Sequence, residues 1–132
     1  MSETSPAFER TYLVTDQEAV HFMGPGVLPV LATPALLMWM ELTAREQVLP
    51  LLSAGEDTVG TAVELKHLAA TPVGMKVRIV SRLVGVEGRA YKFELEAFDE
   101  FDKIGEATHG RASVLVAKFA AKVQAKQAKA RS

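Results

Sequence analysis

The chain has 132 residues, 48% hydrophobic and 23% charged, with a net charge of −1, which is typical of a soluble globular protein. The near-neutral balance gives no reason to expect nucleic acid as a partner. The absence of cysteine excludes a disulfide scaffold, a thiol nucleophile and a cysteine-ligated zinc site. We expect one cytoplasmic domain over residues 1–132, without a signal peptide or a membrane span, because the longest apolar run, Val27 to Met40, is too short and contains two prolines.

The first third of the chain predicts a strand and then one long helix. Residues 8–15 are rich in β-branched and aromatic side chains, which favours a strand. Gly24-Pro25-Gly26 predicts a turn. Thr33 followed by Pro34 is the pattern of an N-cap and a first helical residue, so we predict a helix from Pro34 to Leu52. Its first two turns are apolar nearly all round, which predicts a buried helix.

The remainder of the chain alternates apolar and polar residues with a period of two, which is typical of antiparallel strands with one buried face. In the first of these strands the alternation places Val59, Val63 and His67 on a single face. Glu87-Gly88 is a hairpin signal. We predict four strands in a meander, at residues 58–69, 76–86, 89–99 and 103–116.

Together these elements predict an α+β fold in which an antiparallel sheet wraps around a long central helix. A sheet of this size leaves free edges, and a second copy would cover them, so we expect a homodimer or a higher homo-oligomer. Residues 118–132 predict a basic helical tail with a short apolar edge at Phe119 and Val123. This tail is either a solvated helix or a surface for phosphates.

Two residues suggest proton chemistry inside this fold. Glu41 lies near the end of an apolar run, where a carboxylate is costly unless it is paired or protonated. His67 falls on the apolar side of its strand, and a histidine and a glutamate in one helix–sheet gap suit proton transfer. The structural alternatives are an ion pair between Glu41 and Arg45, four residues later, and a hydrogen-bonded core histidine.

His21 and His109 are weaker candidates for the same role. The three histidines lack the spacing of metal ligands, so we expect neither a metal site nor a cofactor.

Short motifs from about Val30 to Val123 give the chain a resemblance to a known family. They are Ala32-Thr33, Met40-Glu41, Val59-Gly60-Thr61-Ala62, His67-Leu-Ala-Ala-Thr-Pro72 with Gly74, Val86-Glu-Gly-Arg89, Ile104-Gly105, Thr108-His109 with Arg111, and Lys118-Phe119. In these residues the chain resembles hotdog-fold acyl-CoA thioesterases, most closely the group similar to fluoroacetyl-CoA thioesterase. The seven residues between Thr33 and Glu41, together with the His67 to Pro72 turn, are the most specific part of the match.

The resemblance implies a dimeric hydrolase of acyl-CoA whose catalytic residues, Thr33, Glu41 and His67, meet at the dimer interface. It also assigns substrate binding to Gly60 and Arg111, and Arg111 and the tail lysines are candidates to hold the coenzyme A phosphates. The segment from Phe22 to Val30 is expected to shape the acyl pocket. That segment departs from the family pattern, so specificity for a fluorinated acyl group is not implied.

Two mechanisms and two competing functions stay open at this stage. Either Glu41 attacks the thioester or activates a water, or Thr33 attacks while Glu41 or His67 accepts its proton. Backbone amides near Gly60 or at the helix start around Ala35 are candidate oxyanion donors. The competing functions on the same fold are a non-catalytic acyl-CoA or small-ligand binding protein and a dehydratase of hydroxyacyl thioesters.

Overall fold

The computed structural model describes residues 6–131; residues 1–5, which bear on the signal-peptide expectation, and Ser132 lie outside the described residues. The predicted helices and strands are confirmed with small shifts of their ends. The strands are β1 (Phe8–Leu13), β2 (Ala19–Val20), β3 (Val30–Leu31), β4 (Glu56–His67), β5 (Lys76–Glu87), β6 (Ala90–Phe98) and β7 (Lys103–Leu115), and the helices are α1 (Thr33–Val48) and α2 (Val116–Ala130).

The central helix α1 begins one residue earlier than predicted and ends four residues earlier. Ala32 is the N-cap, so the prediction that Thr33 caps the helix is wrong. The helix stops at Val48 because Pro50 cannot donate a helical hydrogen bond, and Leu49–Leu51 form a short 3-10 turn instead. The side chains that α1 buries against the sheet are Leu36, Trp39, Met40, Ala44 and Val48.

One face of α1 is uncovered, so the prediction of burial all round is wrong for a single chain. Met38 is 51% exposed and Leu42 39%, and Pro34 lies one turn before Met38 on the same exposed face. Glu41, which is half-buried, lies beside this apolar stripe. An exposed apolar stripe beside a carboxylate is typical of a surface that contacts another apolar surface.

The large sheet has the strand order β1-β5-β6-β7-β4, and all of its pairs are antiparallel. β5, β6 and β7 form a meander, and Gly88, with φ +62°, makes the tight turn between β5 and β6. The predicted meander of four strands is wrong, because β4 crosses to the far side and pairs with β7 rather than with β5. β4 therefore forms one edge of the sheet, and residues 60–64 on it are exposed.

A β-bulge at Thr61 interrupts the alternation of β4. Gly60 pairs with Arg111 and Ala62 with Gly110, which leaves Thr61 as the extra residue. The bulge reverses which side chains face the helix, so the prediction that Val59 shares the face of His67 is wrong. Its consequence is that Gly60 and His67, an odd number of residues apart, both face α1.

The basic tail is helical, as predicted, and every residue of α2 is exposed. Phe119 and Val123 form its exposed apolar edge, and Val116 ties the start of α2 to the loop before β4 through a hydrogen bond to the carbonyl of Gly55. Among residues 6–131, neither helix combines the length and the apolar character that crossing a membrane would require.

Candidate active site

Thr33 and His67 are in direct contact. The Oγ1 of Thr33 lies 2.8 Å from the Nδ1 of His67, although the residues come from different elements, the start of α1 and the end of β4. The Thr33 hydroxyl makes no capping bond to the helix, and among residues 6–131 its hydrogen-bond partner is the imidazole. A hydroxyl paired with a histidine is the arrangement in which a nucleophile is activated by a base.

The second nitrogen of His67 is buried without a partner. Within the described part of the chain, Nε2 of His67 is the one buried side-chain nitrogen or oxygen that lacks a hydrogen bond. Burial lowers the pKa of His67, and the nearby backbone of Ala69 opposes this change in part. A neutral imidazole with a free buried nitrogen can accept or deliver a proton near neutral pH.

Glu41 lies two turns further along α1, against Gly60. A Cβ atom at position 60 would collide with the Oε2 of Glu41 and would lie 3.3 Å from the Cε1 of His109. Only glycine therefore leaves space for the carboxylate at this point of β4. The side chain of Glu41 is 32% exposed, so it remains accessible from outside the chain.

Arg111 holds the other side of the Glu41 carboxylate, at 3.5 Å from Nη1 to Oε2. Arg111 is only 5% exposed, and it donates from Nε to Thr58 Oγ1 at 2.8 Å and from Nη2 to the Thr58 carbonyl at 2.9 Å. Burial lowers the pKa of the Arg111 guanidinium, and the nearby Glu41 opposes that change. In this chain the enclosed Arg111 guanidinium contacts Glu41, and its expected contact with coenzyme A stays a prediction.

The alternative ion pair between Glu41 and Arg45 is not formed. Arg45 instead makes a two-pronged contact with Asp57, at 2.9 Å from Nε to Oδ1 and 2.7 Å from Nη2 to Oδ2. This contact lowers the pKa of Asp57. Because Arg45 has its own partner on β4, Glu41 is left to face Gly60 and Arg111.

The chain thus carries two separate groups of polar residues, which we name the helix-start pair (Thr33 and His67) and the mid-helix cluster (Glu41, Gly60, Arg111 and His109). Eight residues of α1, or about 12 Å, separate Thr33 from Glu41. Seven residues of β4, or about 20 Å, separate Gly60 from His67. Among the described residues no hydrogen bond or ion pair joins the two groups, so Glu41 and His67 do not pair within one chain.

The segment between Val20 and Val30 lies next to the helix-start pair. β2 and β3 pair through Ala19 with Leu31 and Val20 with Val30. Both ends of the segment therefore lie side by side, just before Thr33 in the chain. Phe22 is 80% exposed and Leu28 72%. Exposed apolar side chains next to a polar pair are typical of the wall of a binding pocket for an apolar group. The contact of Phe22 and Leu28 with substrate stays a prediction.

Sequence patterns singled out Glu41 and His67, and the resemblance added Thr33, Gly60 and Arg111; their functional roles stay a prediction. Sequence reasoning missed Thr58, whose hydroxyl and carbonyl both bind Arg111. It also missed the bulge at Thr61. The available signal was the odd separation of Gly60 and His67, because two residues facing the same helix across an odd spacing require a bulge between them.

The arrangement of a curled antiparallel sheet around one helix, with a carboxylate on that helix and a hydroxyl at its start, is that of a hotdog-fold thioesterase. A family model described as fluoroacetyl-CoA-specific thioesterase matches residues 14–117. A fluoroacetyl-CoA thioesterase of Streptantibioticus cattleyicolor is 40% identical over 97 residues, which are 74% of this chain and 70% of that protein.

Solved structures agree with this match. A structure of the fluoroacetyl-CoA thioesterase FlK superposes with a TM-score of 0.86 at 32% identity, covering 96% of this chain and 98% of that one. A Thermus thermophilus protein described as a thioesterase superfamily member gives a TM-score of 0.86 at 33% identity, covering 96% and 93%. A variant of FlK in complex with fluoroacetate and CoA gives 0.82 at 34% identity, covering 90% and 98%. The chain belongs to the fluoroacetyl-CoA-specific thioesterase family and is a thioester hydrolase.

Proposed function

We propose that this protein hydrolyses a small acyl-CoA thioester to the free acid and coenzyme A, with Thr33, Glu41 and His67 as its catalytic residues. The observation that carries the proposal is the 2.8 Å contact between Thr33 Oγ1 and His67 Nδ1, made by a threonine that does not cap its helix. The hydroxyl does not cap its helix and is paired with a histidine. It suits attack on a carbonyl or transfer of a proton.

The proposal includes a site shared between two copies of the chain. β4 is an exposed edge, and the apolar stripe of α1 at Pro34, Met38 and Leu42 is uncovered beside it. If two β4 strands pair antiparallel about a two-fold axis at residue 64, the extra residue at Thr61 brings Gly60 of one copy opposite His67 of the other. Glu41 of one copy then approaches the helix-start pair of the second, which completes one Thr, Glu and His set on each side of the axis.

The chemistry follows from these positions. Water adds across the thioester: a C–O bond forms at the acyl carbon, the C–S bond breaks, and a proton passes to the departing thiolate. In one route Glu41 attacks the carbonyl, the thiolate leaves, and water then hydrolyses the resulting anhydride; in a variant of this route Glu41 instead removes a proton from the attacking water. In the other route Thr33 attacks and His67 takes its proton, and water then releases the acyl group from the threonine.

The oxyanion that forms on attack needs hydrogen-bond donors. At the start of α1, Pro34 has no N–H and the amides of Ala35 and Leu36 are bound to the carbonyl of Ala32. The backbone amides near Gly60, beside Glu41, are therefore the candidate donors. The helix dipole favours negative charge near Thr33 as well. Gly60 leaves space for the carboxylate of Glu41.

The experiment is a thiol-release assay with short, medium and aromatic acyl-CoA substrates, comparing the wild type with Glu41→Gln and His67→Ala. We expect turnover in the wild type and its collapse in both variants while the dimer stays folded. Binding of acyl-CoA without thiol release would favour a binding protein. Formation of an enoyl product without free thiol would favour a dehydratase, and either result would overturn the proposal.

Thr33→Ser and Thr33→Ala separate the two routes. Threonine attack predicts that serine retains turnover and that alanine abolishes it. Near-normal turnover of Thr33→Ala would exclude threonine attack and leave Glu41 or its activated water as the nucleophile. A cytoplasmic location and a single domain over residues 1–132 remain parts of the proposal that these assays do not address.

A further inference from the structure

His109 lies inside the mid-helix cluster, on β7 two residues before Arg111. It is 5% exposed, and its ring packs against Phe93 with a centroid separation of 5.9 Å. Both ring nitrogens have partners: Nδ1 lies 2.8 Å from the carbonyl oxygen of Ala62, and Nε2 lies 3.2 Å from Nη1 of Arg111. A histidine with two hydrogen bonds in a buried site is held in one orientation.

The two partners also determine where the proton of His109 resides. A guanidinium can only donate, so Arg111 requires an unprotonated Nε2 that accepts its hydrogen bond. A carbonyl can only accept, so Ala62 requires the proton on Nδ1. His109 is therefore a neutral imidazole with the Nδ1–H tautomer. The lowered pKa of His109, caused first by burial and also by the charge of Arg111, agrees with a neutral ring.

The contact with His109 involves the same nitrogen that faces Glu41. Nη1 of Arg111 is 3.2 Å from His109 Nε2 and 3.5 Å from Glu41 Oε2, while Nε and Nη2 are bound to Thr58. Thr58 on β4 thus fixes one side of the guanidinium, and His109 fixes the nitrogen that points toward the carboxylate. The charged groups facing His109 are Arg111 on its own strand and Glu41 on α1.

We propose that His109 is a positioning residue: as a neutral hydrogen-bond acceptor it aims Arg111 at the carboxylate of Glu41 and so holds Glu41 ready for reaction. The inference rests on the proposed catalytic role of Glu41. It assigns to His109 no contact with substrate. It also explains why the bulge at Thr61 is useful, because the carbonyl of Ala62, next to the bulged residue, is the acceptor that orients His109.

The test compares two substitutions of His109, one that retains a hydrogen-bond acceptor and one that retains an aromatic ring. His109→Gln retains an oxygen that can accept from Arg111, and His109→Phe retains an aromatic ring against Phe93 but no acceptor. We expect His109→Phe to lower kcat by about tenfold to a hundredfold, the usual effect of leaving a buried charged donor unpaired, with a smaller change in KM. His109→Gln should retain most of the turnover. A purely structural role for the ring predicts the reverse order, and that result would overturn the proposal.

A second comparison asks whether His109 acts through Arg111. In an Arg111→Met background, His109→Phe should cause no further loss of kcat, because the guanidinium that it positions is gone. Arg82→Met serves as the matched control, since Arg82 is an exposed arginine on β5 that pairs with Glu96. Full additivity of the His109 and Arg111 losses would contradict the proposed route of action.

A spectroscopic measurement keeps this inference separate from the proposed function. The ¹⁵N shifts of the His109 ring in the wild type should show a neutral imidazole with its proton on Nδ1, whether or not thiol is released. A proton on Nε2 would overturn the inference even in an active enzyme. If His109→Phe does not fold, the ¹⁵N shifts and the kinetics of His109→Gln still test the positioning role of His109. If the tautomer is as expected but no thiol is released, the proposed function is wrong and so is the catalytic part of this inference. Only the contact of His109 with Arg111 would then remain.

Discussion

The helix-start pair and the mid-helix cluster are built in opposite ways. Thr33 and His67 share one hydrogen bond, and Nε2 of His67 is buried with no partner among residues 6–131. In the mid-helix cluster, by contrast, Arg111 has contacts with Thr58, His109 and Glu41. The mid-helix cluster has its hydrogen-bond partners within the chain, whereas the helix-start pair has one ring nitrogen without a partner. The comparison indicates that the chain fixes its charged group in advance and leaves the neutral pair to be completed by a second copy or a substrate.

The largest expected effect comes from the carboxylate of the mid-helix cluster. Glu41→Gln keeps the shape of the side chain and removes its charge and its basicity. We expect kcat to fall by about a hundredfold or more, the range for loss of a general acid or base. Steady-state thiol release measures it. Glu46→Gln, on the same helix and paired with Arg10 at the surface, is the matched control and should retain turnover. Equal turnover of wild type and Glu41→Gln would show that Glu41 is not a catalytic residue.

The next effect tests the space that Gly60 leaves for Glu41. Gly60→Ala places a methyl group where the carboxylate lies, so Glu41 must move. We expect kcat to fall by up to about a hundredfold, because a displacement near 1 Å of a reacting group can have that effect. Gly85→Ala is a close control: Gly85 also lies beside a bulge, and its Cβ would meet only Lys92 Cβ at an ordinary 3.8 Å. Similar kinetics for the two variants would show that the Gly60 contact is unimportant.

A smaller effect concerns pH and the helix-start pair. Burial lowers the pKa of His67 in the folded chain, whereas the unfolded chain titrates near the usual value of about 6.5. As pH falls below that value the unfolded chain takes up a proton that the folded chain does not, so the free energy of unfolding decreases. We expect Tm to fall between pH 7.5 and 5.5. His109, whose pKa is also lowered, contributes in the same direction.

The control for this pH effect is His67→Gln, in which the decrease of Tm should be shallower than in the wild type. Carboxylates with a lowered pKa, such as Asp57 and Asp99, lose their stabilising effect at lower pH and do not overlap with this window. A wild-type Tm that rises on acidification would contradict a neutral buried His67.

The smallest effect belongs to a charge pair outside both groups. Asp57→Asn weakens the contact with Arg45, whose side chain is 37% exposed, and should reduce the free energy of unfolding by about 0.5–1 kcal/mol without changing kcat. Urea unfolding followed by circular dichroism measures it. A large loss of kcat would show that Asp57, a charged neighbour of Arg111, belongs to the active site after all.

Much of the fold was predictable because it depends on local patterns. The alternation of residues in β5, β6 and β7 and the apolar run before Glu41 were sufficient for an antiparallel sheet around a long helix. The crossing of β4 to pair with β7 was not predictable from these patterns, since alternation does not specify which strands are neighbours. The bulge at Thr61 was also missed, because Val59 and Val63 continue an apparently regular alternation across it.

The candidate site shows the same division. Thr33, Glu41 and His67 were identified from residue type, spacing and resemblance. Their partners were not, because Thr33 has a strong local alternative as an N-cap and Glu41 has one as a pair with Arg45. In the structure tertiary contacts with His67 and Arg111 prevail in both cases. Local preferences therefore singled out these residues, whose catalytic roles stay a prediction, but did not indicate the contacts that the structure shows.

The central claim is that each active site combines Glu41 of one copy with the helix-start pair of another. Mixing Glu41→Gln protein with Thr33→Ala/His67→Ala protein, after unfolding and refolding together, tests it most directly. If the site is shared, a mixed dimer contains one intact site, and random mixing should restore up to about a quarter of wild-type activity. No recovery in mixed dimers that have demonstrably formed would contradict a shared site.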